Sequence, residues 1–104
     1  MKNHDFKELA KKYGTPFYLF DFEILKNRIG LLNNKLPKNA DLCYAIKSNA
    51  FLIQALKDSG ILFEVCSPGE LSICREYKVN PMQIVFSGVV KTKEDIKTAW
   101  KMHV

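Results

Sequence analysis

The spacing of apolar positions divides the chain into a helical opening and a longer alternating part. Phe6, Leu9, Ala10 and Tyr13 recur at helical spacing until Gly14 and Pro16 stop the run, which predicts a helix over 4–13. The aromatic stretch from Thr15 to Asp21 is short and β-prone and predicts a strand. Asp21 can cap a second helix, in which Phe22, Leu25, Ile29, Leu32 and Leu36 form one stripe. Residues 37–41 make a polar turn.

From Leu42 the pattern alternates. Strands are predicted over 42–46, 61–65 and 83–86. Helices are predicted over 50–59, closed by Gly60, over 68–77, and over 93–102 with Thr92 as cap. Strand, helix, strand, helix is the signature of βαβ units and a parallel sheet. The near-continuous apolar strands suit burial on both faces. Ile96 and Trp100, one turn apart, read as core. The alternation stops abruptly at Val104 and leaves an edge strand that native proteins normally cover. The expectation is that the chain begins something larger, and that by itself it is poorly stable and aggregation-prone.

Composition changes this picture little. A length of 104 residues, 47% apolar and 26% charged, suits one small globular domain. The net charge of +5 comes from dispersed lysines with no aromatic-interleaved basic face, which argues against nucleic acid as a partner. Cys43, Cys66 and Cys74 are an odd count with no CxxC pair, so neither a zinc site nor a disulfide framework is indicated. Cys43 reads as a small buried hydrophobe, and the set fits a reducing cytoplasm. No secretory leader and no membrane-length apolar run are visible. His4 and His103 read as surface residues.

The candidate chemistry lies at the strand ends, because parallel α/β folds bind ligands at the carboxyl ends of their strands. The first strand runs into Lys47-Ser48-Asn49, the second into Glu64-Val65-Cys66-Ser67, the third into Phe86-Ser87-Gly88. Lys47 is either a strand-end lysine reaching water or a Schiff-base lysine, which needs partial burial so that its amine can attack a carbonyl. Ser67-Pro68-Gly69-Glu70 reads as a capping box with proline at the first helical position. The same helix start could offer N–H groups to an anion. Glu64 on an interior strand needs a partner, and Lys47 is a candidate. Ser87 and Gly88 read as residues that turn the chain into the last helix.

Four segments then carry a resemblance. Residues 14–21, GTPFYLFD, resemble the "GTPxYVYD" opening of diaminopimelate decarboxylases. Residues 44–49, YAIKSN, resemble "YAVKAN". Residues 64–71, EVCSPGEL, resemble "DVVSGGEL", and residues 86–92, FSGVVKT, resemble "FxGNxKS". Their order and spacing are similar to those of the fold type III decarboxylases dependent on pyridoxal phosphate: the diaminopimelate, ornithine and arginine enzymes.

The resemblance implies an α/β fold, the first three βα units of a (β/α)8 barrel, preceded by a helix, a short strand and a second helix. It divides the chain into 1–41, with the strand over 15–20 belonging to a separate β-domain, and 42–104, the incomplete pyridoxal-binding barrel. It implies that Lys47 binds the cofactor covalently and that Glu64, Glu70 and Ser67 lie beside it. The implied substrate is diaminopimelate or a related basic amino acid, decarboxylated by a homodimer that draws on residues beyond Val104. Glu64 for aspartate, Ser48 for alanine and Val89 for asparagine depart from the pattern and bear on substrate choice. Three other readings compete: an amino-acid racemase or epimerase, told apart by its later catalytic residues; a non-catalytic single-domain carrier of the cofactor; and a small independent α/β domain, which would unfold cooperatively by itself.

Overall fold

The computed structural model describes residues 5–104, so His4 lies outside the described residues. They fall into two compact units, residues 5–35 and 36–104. In the first unit Asp5 starts helix α1 (Phe6–Tyr13) by accepting from the N–H groups of Lys7 and Glu8 at 3.0 Å. Gly14 ends it at φ +79, donating its N–H to the Ala10 carbonyl. Asp21 repeats the device for α2 (Phe22–Lys35), accepting from Glu23 at 2.9 Å and Ile24 at 3.1 Å. Of the anticipated α2 stripe only Ile29 is buried.

The strand expected over Thr15–Asp21 does not form. Backbone N–H and C=O groups make a strand only when a neighbour pairs with them. The sheet has no fourth member for this segment, and Phe20 instead meets Phe22 edge-on, with ring centroids 5.2 Å apart.

The second unit holds strands β1 (Cys43–Ala45), β2 (Leu62–Val65) and β3 (Ile84–Phe86), parallel and in the order β1-β2-β3. A 3-10 turn over Ala50–Leu52 leads into α3 (Ile53–Leu56), and a positive-φ Gly60 turns the chain into β2. Helix α4 (Pro68–Glu76) links β2 to β3, and α5 (Lys93–Lys101) follows β3. Thr92 starts α5 with a full capping box: its hydroxyl accepts from Asp95 N–H at 3.1 Å, and the Asp95 carboxylate accepts from Thr92 N–H at 2.8 Å.

Sequential strand order with crossovers of one hand puts the connecting helices on one face of the sheet. Burial follows that rule. Phe63 and Val65 of β2 are fully buried, as are Ile46, Ile53, Leu56, Leu71 and Cys74. Alternating with them along β2, Leu62 and Glu64 are half-buried, the period-2 pattern of a sheet covered on one side. The expectation of burial on both faces therefore fails for this chain. Register extends the open face: Cys43 stands opposite Leu62, Ala45 opposite Glu64, and Glu64 opposite Val85. For that reason Cys43 is exposed rather than buried.

Ile96 and Trp100 are also not core; Trp100 is 80% exposed. Helix α5 buries Ala99 instead, about a quarter-turn away from the Ile96–Trp100 edge. Two side-chain bonds brace the strand starts, since Gln83 Nε2 donates to the carbonyls of Lys57 and Ile61, both at 3.1 Å.

Candidate functional site

The carboxyl ends of the three neighbouring strands bring Lys47, Glu64, Cys66, Ser67, Glu70 and Ser87 to one end of the sheet. Lys47 sits in a 3-10 turn, Ile46–Ser48, directly after β1. Ile46 anchors the turn in the core at 1% exposure, and Lys47 beside it is exposed. The hydroxyl of Tyr44 donates to the Asn49 carbonyl at 3.0 Å and so spans the turn. Asn49 Oδ1 in turn accepts from Phe51 N–H at 3.1 Å and opens the next turn. Burial pushes the Tyr44 hydroxyl above its ordinary pKa.

Of the two readings of Lys47, the partial burial that a Schiff-base lysine needs is absent in this chain, because β1 is an edge strand of a sheet whose second face is open. Among the described residues its Nζ has no hydrogen-bond or ion-pair partner. Lys47 is thus not the partner of Glu64. That part is taken by Ser87, whose Oγ donates to Glu64 Oε1 at 2.5 Å. A hydroxyl satisfies the half-buried carboxylate without a second charge. Partial burial, and then the nearby Glu64 carboxylate, push the Cys43 thiol above its ordinary value.

Helix α4 starts with half of the expected capping box. Ser67 Oγ accepts from Glu70 N–H at 3.2 Å, with Pro68 at the first position. The Glu70 carboxylate, however, reaches one residue further back and accepts from Cys66 N–H at 2.6 Å. Glu70 therefore ties the helix start to the end of β2. Tyr44 is a site residue that the sequence did not single out by itself, and Ser87, placed at the third strand end, was read only as a turn residue. The only signal for either was position, three residues before Lys47 for one and directly after a strand for the other.

The side chains present suit pyridoxal phosphate. A primary amine without a competing partner stands at the rim and can condense with an aldehyde. An acceptor carboxylate is held on the adjacent strand. The family model for pyridoxal-dependent decarboxylases, pyridoxal binding domain, matches residues 23–104. The chain belongs to this family.

A diaminopimelate decarboxylase of Aquifex aeolicus is 34% identical over 95 residues, covering 89% of this chain and 22% of that protein. Among solved structures, lysine decarboxylase from Selenomonas ruminantium has a TM-score of 0.84 at 28% identity, covering 100% of this chain and 28% of that one. Diaminopimelate decarboxylase from Helicobacter pylori, complexed with L-lysine, has a TM-score of 0.77 at 31% identity, covering 96% and 26%. The chain spans about a quarter of the length of the curated relatives it matches, 22% of one and 26% of another. The pyridoxal-binding match and the parallel α/β sheet agree with the expected family and cofactor.

Proposed function

We propose that this chain is the opening part, the first three βα units, of the (β/α)8 barrel of a cytoplasmic, homodimeric amino-acid decarboxylase, acting on diaminopimelate or a related basic amino acid. The observation that carries the reading is the unpartnered Lys47 amine at the carboxyl end of β1, beside a strand that ends in a held carboxylate. Free thiols at Cys43, Cys66 and Cys74 suit a reducing compartment.

Lys47 holds the cofactor through Nζ, and its turn is kept in place by Ile46 below and the Tyr44–Asn49 bond across it. Glu64 presents a carboxylate from the open face of β2. Ser67 and Glu70 fix the first turn of α4 at the same rim, Ser67 by capping and Glu70 through the Cys66 amide. Bound pyridoxal phosphate supplies an electron sink for the carbanion left when a carboxylate departs as CO2. The protein's share is orientation, which is worth several orders of magnitude in rate when the breaking bond is held correctly.

The test is to produce the full-length gene product with pyridoxal phosphate, reduce it with borohydride and map the labelled peptide by mass spectrometry. The expected label is on Lys47. A cofactor-saturated protein with Lys47 unlabelled would sink the reading. The likeness to lysine decarboxylase over the whole chain favours a second substrate within the same chemistry. CO2 release from meso-diaminopimelate, lysine and ornithine, measured side by side, separates the two.

A further inference from the structure

The bond from Ser87 to Glu64 is one link of a longer arrangement. A serine hydroxyl carries a single proton, and here it points at Glu64 Oε1. The contact between Cys66 Sγ and Ser87 Oγ at 3.5 Å must therefore run the other way, from the thiol S–H to the hydroxyl. Donors line up head to tail from Cys66 through Ser87 to the carboxylate, an arrangement in which each bond polarises the next.

Ser87 is itself fixed on both sides. Its N–H donates to the Val65 carbonyl at 2.9 Å and prolongs the β2–β3 ladder by one residue. Its carbonyl accepts from Lys91 Nζ, which also donates to the Gly88 carbonyl at 2.8 Å. The same ammonium lies 4.7 Å from the centre of the Phe86 ring. Gly88 closes the loop at φ +105, where a Cβ would come within 3.3 Å of the Cys66 carbonyl oxygen. A chain that merely turns into α5 needs none of this. Among the described residues Glu64 Oε2 has no hydrogen-bond partner.

We propose that Ser87 is a positioning residue: its hydroxyl holds Glu64 by Oε1 and leaves Oε2 to act on the cofactor bound at Lys47. This rests on the reading of Lys47 and Glu64 as cofactor residues. The experiment uses the full-length protein loaded with pyridoxal phosphate, as wild type, Ser87→Ala, Ser87→Thr, Glu64→Gln and the Ser87→Ala/Glu64→Gln double variant. Two quantities are read: the dissociation constant of the cofactor, and the pH at which its visible absorption titrates.

Ser87→Ala is expected to weaken cofactor binding roughly tenfold, the scale of a hydrogen bond to a charged group. It should move the pH midpoint in the same direction as Glu64→Gln. Ser87→Thr should restore both readings, and the double variant should match Glu64→Gln alone, since Ser87 acts only through Glu64. The proposal is overturned if Ser87→Ala lowers the melting temperature while leaving affinity and midpoint unmoved, or if the double variant shows the full product of the two single effects. Borohydride labelling of the wild type separates the two levels. An unlabelled Lys47 brings down the cofactor reading and this proposal with it. A labelled Lys47 with an unmoved Ser87→Ala brings down this proposal alone.

Discussion

The Tyr44 hydroxyl donates to the Asn49 carbonyl at 3.0 Å and so closes a loop around Lys47. The bond joins β1 to the end of the turn that follows, and Lys47 is one of the four residues it encloses. Removing the hydroxyl in Tyr44→Phe leaves the ring in place and loses one hydrogen bond, worth about 1 kcal/mol. The expected result is faster amide exchange at Phe51, just beyond the turn, and weaker cofactor retention by the full-length protein. Unchanged exchange at Phe51 would show that the turn holds without the strap.

Glu70 gives a more local prediction. Its carboxylate accepts from the Cys66 amide at 2.6 Å, a charge-assisted bond on a part-buried donor. Glu70→Ala strands that N–H, at a cost of roughly 1.5–3 kcal/mol. Protection of the Cys66 amide against hydrogen exchange should fall by about tenfold or more, while amides in the middle of α4 change little. A loss spread evenly over α4 would mean that Glu70 serves the helix as a whole rather than the end of β2.

The alternation of strands and helices was legible because each strand is a compact apolar run punctuated by a capping residue or a glycine. Ser67, Thr92 and Gly60 stand where the pattern places them. Lys47, Glu64, Ser67 and Glu70 came to one rim because parallel neighbours share a carboxyl end. What the pattern could not show is which side of the sheet is covered, since an apolar strand reads alike with one face buried or two. The exposure of Cys43 follows from that, whereas Ile96 and Trp100 are exposed because α5 turns Ala99 to the core instead. The partner of Glu64 was misjudged for a different reason. Charge complementarity suggested Lys47, but strand register set Val85 opposite Glu64 and carried Ser87 up to the carboxylate. Thr15–Asp21 has strand composition and no strand to pair with.

Cys74 offers a pH-dependent test in the core. Its side chain is fully buried, and burial, with a smaller contribution from Glu70, pushes the thiol from 9.0 to about 11. The folded state thus holds the proton more tightly than the unfolded chain. Its contribution to stability is complete below pH 9 and is lost as pH rises from 9 to about 11, in total about 2–3 kcal/mol. Cys74→Ala should flatten that part of the stability–pH curve, measured as denaturation midpoint against pH. Native Cys74 should also resist alkylation at pH 8 and react once the chain is unfolded. Rapid alkylation under native conditions would contradict the packing of α4.

Two glycines should respond to alanine in opposite directions. Gly88 sits at φ +105, a region that L-residues rarely enter, and a Cβ there would lie 3.3 Å from the Cys66 carbonyl oxygen and 3.4 Å from Lys91 Nζ. Gly88→Ala must either strain the backbone, at roughly 1–3 kcal/mol, or shift the loop that aims Ser87. Gly30 lies inside α2, has no positive φ, and would place a Cβ with nothing within 4 Å of it. Gly30→Ala should therefore stabilise by about 0.5–1 kcal/mol, because alanine gives up less backbone entropy on entering a helix. Urea denaturation of the two variants against wild type reads both signs. If Gly88→Ala proves neutral, the β3–α5 loop is looser than its bonds to Lys91 imply, and the hydroxyl of Ser87 is not held in one direction.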